Sequence, residues 1–95
     1  MVDENLPEWL AEQGDGSVSI TLARGVEVDG VRVMEVRMRE PTVDDQLLAS
    51  AGTSDAAMRE VTLVANLLDV PPDAVRKATL RDYGRLQEAL GFLAG

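Results

Sequence analysis

Val18-Ser19-Ile20-Thr21-Leu22-Ala23-Arg24-Gly25-Val26-Glu27-Val28-Asp29-Gly30-Val31-Arg32-Val33-Met34-Glu35-Val36-Arg37-Met38 is the stretch on which the fold turns. From Ser17 to Arg24 the residues alternate, with Val18, Ile20 and Leu22 on one face and Ser19, Thr21 and Ala23 on the other. A period of two is that of a half-buried strand. The valines at 26, 28, 31 and 33 then flank Asp29-Gly30, a pair that tolerates positive φ and suits the tight turn matching strand twist, so the segment predicts a β-hairpin. Pairing Val28 with Val31 and Val26 with Val33 sets Leu22 beside Arg37, whereas Met34, Val36 and Met38 are the apolar partners it requires. A one-residue slip is therefore expected, as a β-bulge at Gly25 or at the Val33-Met34 step.

Downstream the period changes to that of helices. Pro41 ends the strand, and Thr42 three residues before Asp45 is a capping-box-like start for a helix to about Ala51, stopped by Gly52. A second helix is expected from near Ser54, with Ala57, Met58, Val61, Val64, Ala65 and Leu68 on one face, ending before Pro71. Pro71-Pro72-Asp73 opens a short helix to about Ala78. Thr79 with Asp82 caps a last one from Leu80 to about Ala94, with Leu80, Tyr83, Leu86, Ala89, Leu90 and Leu93 inward. The fold class is α+β: an N-terminal β-hairpin followed by a small bundle of three to four short helices.

Residues 1–16 carry five acids and no base, which leaves the other 79 residues, with 12 acids and 9 bases, at only -3. This asymmetry marks residues 1–16 as an acidic flexible arm and 17–95 as a single domain, with the hairpin in 17–39 and the helical part in 42–94. Within the arm, Leu6 to Glu12 reads as a turn or two of helix with Pro7 at its first position, broken by Gly14-Asp15-Gly16. Trp9 and Leu10 have two readings: a hydrophobic latch lying on the domain, or an exposed docking peptide anchored by the lone Trp.

Length and composition exclude several classes of function. With 95 residues there is room for one small domain whose core is thin, which makes association with partners or with itself an option. Cysteine and histidine are both absent, removing thiol nucleophiles, disulfides, Cys/His zinc sites and the side chain best suited to proton transfer near neutral pH. No apolar run approaches the length of a membrane span, and the acidic Met1-Val2-Asp3-Glu4-Asn5 start is unlike a secretory signal. The net charge of -8 repels phosphate backbones and anionic lipid, so neither nucleic acid nor membrane is expected as a partner.

The residues that resemble sites have plainer explanations. Asp44 and Asp45 are adjacent carboxylates of the kind acid/base chemistry uses, but in the first turn of a helix they complement its dipole. Asp29-Gly30 lacks the ligand spacing of a calcium loop, so no metal is expected there, and with histidine and cysteine absent and the paired acids at a helix start no other cofactor and no catalytic residue is expected. Arg76, Lys77, Arg81 and Arg85 form the densest basic cluster, but Asp73, Asp82 and Glu88 lie among them, as on a solvated face. Met34, Met38 and Met58 fall on apolar faces, where methionine fills a core or serves an adaptable binding surface.

Several of these blocks occur together in one known family. Ile20-Thr21-Leu22-Ala23-Arg24, the Asp29-Gly30 hairpin, Met38 to Asp45, Leu80 to Gln87 and Phe92-Leu93 together resemble the small tail assembly chaperones of long-tailed phages, particularly Mu-like phages and prophages. The Leu6-Pro7-Glu8-Trp9-Leu10 opening is similar to that of some members, so the likeness covers about residues 6–95. The resemblance implies a non-enzymatic factor made from a gene between those for the tail tube and the tape measure protein, needed for assembly and absent from the finished tail. A programmed frameshift often adds a C-terminal domain to a second product in this family.

On that resemblance, the expected function is to bind the long, helical, aggregation-prone tape measure protein and help recruit tail tube subunits, in the cytoplasm of the bacterial host. The alternative from another class is an acidic protein-binding inhibitor or DNA mimic, which rests on the net charge. Candidate protein-binding residues are Trp9 and Leu10 on the arm and Tyr83, Leu86, Leu90 and Phe92 on the last helix.

Overall fold

The computed structural model describes residues 6–95, so the acids of the first five residues lie outside the described residues. Three strands, β1 (Leu10–Glu12), β2 (Val18–Val28) and β3 (Val31–Met38), precede four helices, α1 (Val43–Ala51), α2 (Ala56–Leu68), α3 (Pro72–Arg76) and α4 (Leu80–Ala94). The α+β class and the hairpin-then-helices order are those expected. The sheet is antiparallel in the order β1-β2-β3, one strand more than the hairpin alone.

That extra strand corrects the reading of residues 6–12 as a helical turn within a flexible arm. Leu10, Ala11 and Glu12 pair with Ile20, Ser19 and Val18, and the Thr21 N–H donates to the Trp9 carbonyl at 2.8 Å. β2 offers a row of free backbone groups on this side, and pairing satisfies them where a short isolated helix gains little. Leu10 is buried in the core, so the latch is the arrangement found.

Asp29 (φ 52°) and Gly30 (φ 80°) both take the left-handed conformation that a two-residue hairpin of this twist requires. Beyond the turn, Val28↔Val31 and Val26↔Val33 pair as expected, and on the far side Thr21↔Glu35, Ile20↔Val36 and Val18↔Met38 are opposite. Between these ladders Leu22 to Gly25 face Met34 alone, so the slip is three residues rather than one. The bulge sits at Gly25, whose φ of +83° lets its backbone approach Met34 and Val33. Met34 is consequently exposed rather than packed against Leu22, while Val36 and Met38 are buried.

The helices cover one face of the sheet. α2 supplies Leu63, Val64, Ala65, Leu67 and Leu68 to the core and α4 supplies Leu86 and Ala89. Ala57, placed on the inner face by periodicity, is exposed, and the buried residues of α2 begin only at Leu63. Leu80 is likewise exposed rather than inward, and Asp82 takes the buried position in the first turn of α4. α2 is capped by Asp55, which accepts from the Ala57 and Met58 N–H groups, and ends at Asp69 in the left-handed conformation just before Pro71.

Candidate functional site

Asp82 is the least expected functional group of the fold. Thr79 caps α4 as predicted, its hydroxyl accepting from the Asp82 N–H at 3.2 Å. The Asp82 carboxylate does not return to the cap. It accepts instead from the N–H groups of Ala23 (2.6 Å), Arg24 (2.9 Å) and Gly25 (3.0 Å) at the β2 bulge. These amides have turned away from β3, and three successive N–H groups in such a turn make a concavity that holds an anion. Burial pushes the Asp82 carboxyl up, but the three backbone N–H bonds and the neighbouring Arg85 outweigh it and hold the group below its ordinary value. The charge is thus an internal staple from α4 to the sheet.

Next to it, Arg85 ties β1 to the same helix. Its guanidinium lies 5.3 Å from the centre of the Trp9 ring and donates to the Thr21 carbonyl at 2.6 Å. Arg85 therefore leaves the basic cluster for a structural role. One turn away the Tyr83 hydroxyl donates to Glu60 at 2.6 Å and Gln87 donates to the same oxygen at 2.8 Å, joining α4 to α2. Burial, and then the Glu60 carboxylate, push the Tyr83 phenol well above its ordinary value.

The Asp44-Asp45 pair separates by role. Asp45 is buried at the start of α1 and accepts both guanidinium ends of Arg39, at 2.8 and 2.7 Å, together with the Thr42 N–H at 2.8 Å. With the Thr42 hydroxyl accepting from the Asp45 N–H this is a reciprocal capping box, as the sequence indicated. Arg39, then the Thr42 backbone, hold the Asp45 carboxyl far below its ordinary value. Asp44 points outward and is exposed.

This anchoring turns only Asp45 and Ala49 of α1 inward. Val43, Leu47 and Leu48 are left 78%, 64% and 60% exposed, an aliphatic surface on a helix short enough to have hidden it. Beside Val43 an open groove runs between α1 and the C-terminal end of α4, lined by Pro41, Val43, Gln46, Leu63, Leu90 and Leu93 with Glu40 at its rim. Sequence reading missed this face. The count of aliphatics on α1 gives no signal, since one inward stripe can hold Val43, Leu47 and Leu48; the side that faces the domain is set by the Arg39–Asp45 pair rather than by periodicity.

Of the candidate protein-binding residues, Leu10 and Leu86 are buried in the core, and Trp9, Tyr83 and Phe92 are half-buried against it. Leu90, also half-buried, is the one that lines the groove. Trp9 and Leu10 lie with β1, away from any common surface with Leu90 that the strand pairing or the groove defines.

Residues 19–95 match the family described as phage tail assembly chaperone proteins, E, or 41 or 14. The chain belongs to this family. The matched range starts in β2, so it includes the bulge, Asp82 and the α1 face of this tail assembly chaperone family member and omits Trp9 and β1. Comparison with curated proteins gave no match. Comparison with solved structures gave none either. No helix among the described residues of this family member is long and apolar enough to cross a membrane.

Proposed function

We propose that this chain is a non-enzymatic tail assembly chaperone that binds the tape measure protein of its own phage or prophage and helps recruit tail tube subunits around it, in the cytoplasm of the host cell. The family match over residues 19–95 carries the reading. A long helical client exposes apolar stripes until the tube encloses it, and a chaperone must cover them reversibly. Many modest contacts repeated along the client serve this better than one tight interface, because tube subunits must later displace them. The small domain, with aliphatic side chains left open on α1, is of the kind this task requires.

The competing reading as an acidic inhibitor or DNA mimic draws on net charge alone. Against it, the Arg39–Asp45, Arg37–Asp15, Arg32–Glu27 and Arg76–Asp73 pairs interleave bases with acids over the surface. Co-expression with the cognate tape measure protein, followed by fractionation, tests the proposal. The client is expected in the soluble fraction with this chain and in the pellet without it. A client equally insoluble in both, including with any frameshifted longer form, overturns it.

A further inference from the structure

We propose that the groove between α1 and the C-terminal end of α4, together with the outward face of α1, is the docking surface, and that its occupant is an amphipathic helix whose aliphatic ridge is flanked by Lys and Arg. The proposal rests on the chaperone reading and names the surface and the chemistry it selects. Two observations carry it.

The first is apolar shape. Val43 and Leu47 are one helical turn apart on α1, both mostly exposed, and Leu63, Leu90 and Leu93 continue the apolar surface into the groove floor. A ridge of side chains spaced by four along one helix, beside a trough between two helices, is the form that accepts a third helix.

The second is charge. Glu40 on the rim and Asp44 on α1 are exposed and have no ion-pair partner among the described residues. No base lies on α1, and the last turns of α2 and α4 have none. The α4 end that borders the groove therefore presents carbonyls whose partial negative charge no side chain offsets. This argues against a second copy of the chain as occupant. A two-fold pairing sets this face against itself, so Glu40 and Asp44 of both copies enter one interface with no base on α1 to pair with them. Lys or Arg flanking the partner's ridge reverses the sign of each of these contacts.

Two probes and one variant separate the possibilities. Nitrogen-15 amide shifts of the full chain are followed on adding peptides that tile the cognate tape measure protein, and on adding a synthetic helix with Leu at helical spacing flanked by Lys. The same helix with Glu in place of Lys is the control. Shifts are expected to cluster at residues 40–48 and 90–94 for the Lys helix and for the tape measure peptides that bind. The Glu helix should bind about tenfold more weakly or worse, and raised salt should weaken the Lys helix. Val43→Ser/Leu47→Ser, with both side chains mostly outside the core, should keep the native spectrum and lose about tenfold in affinity or more.

Tape measure peptides that bind but shift residues elsewhere, or that bind the variant as well as the wild type, overturn this surface and leave the chaperone reading standing. Lys-helix shifts at this face with no binding of any tape measure peptide uphold the surface and overturn the tape measure reading. Equal binding of the Lys and Glu helices overturns the charge selection. A wild-type dimer in sedimentation that the variant abolishes assigns the face to a second copy and overturns the proposal.

Discussion

Replacing Asp82 with Ala should cost this domain a large part of its stability, although the residue is a lone acid at the start of a helix. Its side chain is fully buried and takes three backbone N–H groups at 2.6, 2.9 and 3.0 Å. Hydrogen bonds to a charged group contribute roughly 1.5–3 kcal/mol each, and taking one carboxylate out of water costs several kcal/mol in return. The balance does not vanish on truncation, because the variant leaves three amides without their acceptor, at about 1–3 kcal/mol for the buried Gly25 N–H and less for the part-buried Ala23 and Arg24 N–H groups, which water can reach. A net loss of about 2–4 kcal/mol follows. For a domain of this length total stability is of order 5–14 kcal/mol, so Asp82→Ala should approach the limit of folding. Asp82→Asn should fall between, since one carbonyl oxygen remains as acceptor while the amide –NH2 opposes at least one backbone donor. Urea titration gives the free energies, and amide exchange at Ala23, Arg24 and Gly25 reports the site itself. An Asp82→Ala variant within about 1 kcal/mol of wild type, or with those three amides still protected, would refute the staple.

Three further outcomes follow from the same geometry. Gly25→Ala should lower stability by about 2 kcal/mol or more in a denaturant titration, since a Cβ there meets the Met34 Sδ and the Val33 carbonyl at 2.7 Å with φ at +83°. Gly30→Val should cost roughly 1 kcal/mol or more, because a β-branched residue resists φ near +80°, and an unchanged melting temperature would show that the turn tolerates it. Acid should unfold the domain through its paired carboxylates: Asp82, Asp45 and Asp15 are all held below their ordinary values, so they bind fewer protons folded than unfolded. Their contribution is complete above the unfolded carboxylate pKa of about 3.9 and is lost as pH falls through their folded values, so melting temperature should drop below about pH 4 and be level from there to neutrality.

The hairpin and the helix boundaries were legible in the sequence because local signals fix them: alternation from Val18, Asp29-Gly30 at the turn, Thr42 and Thr79 as caps, Pro71 and Pro72 between helices. What escaped depends on groups distant in the chain. β1 is three residues long and carries no period of its own; only the free edge of β2 defines it. The bulge sits at one of its two expected places but is larger than the local pattern indicates, because the acceptor that stabilises three turned amides stands 57 to 59 positions away. Read locally, Asp82 is a capping residue. The phase of α4 depends on the same contact: periodicity turns Leu80 inward, whereas the staple turns it out. On α1 the Arg39–Asp45 pair fixes which side faces the domain, and so exposes the aliphatics that a periodicity count leaves unassigned.

Co-purification of the untagged chain with a tagged cognate tape measure protein, with the amount of each measured in the recovered complex, tests the central claim most directly. Several copies of this chain per client are predicted, displaced when tail tube subunits are added. A soluble client recovered without the chain, or a complex that tube subunits leave untouched, would contradict it.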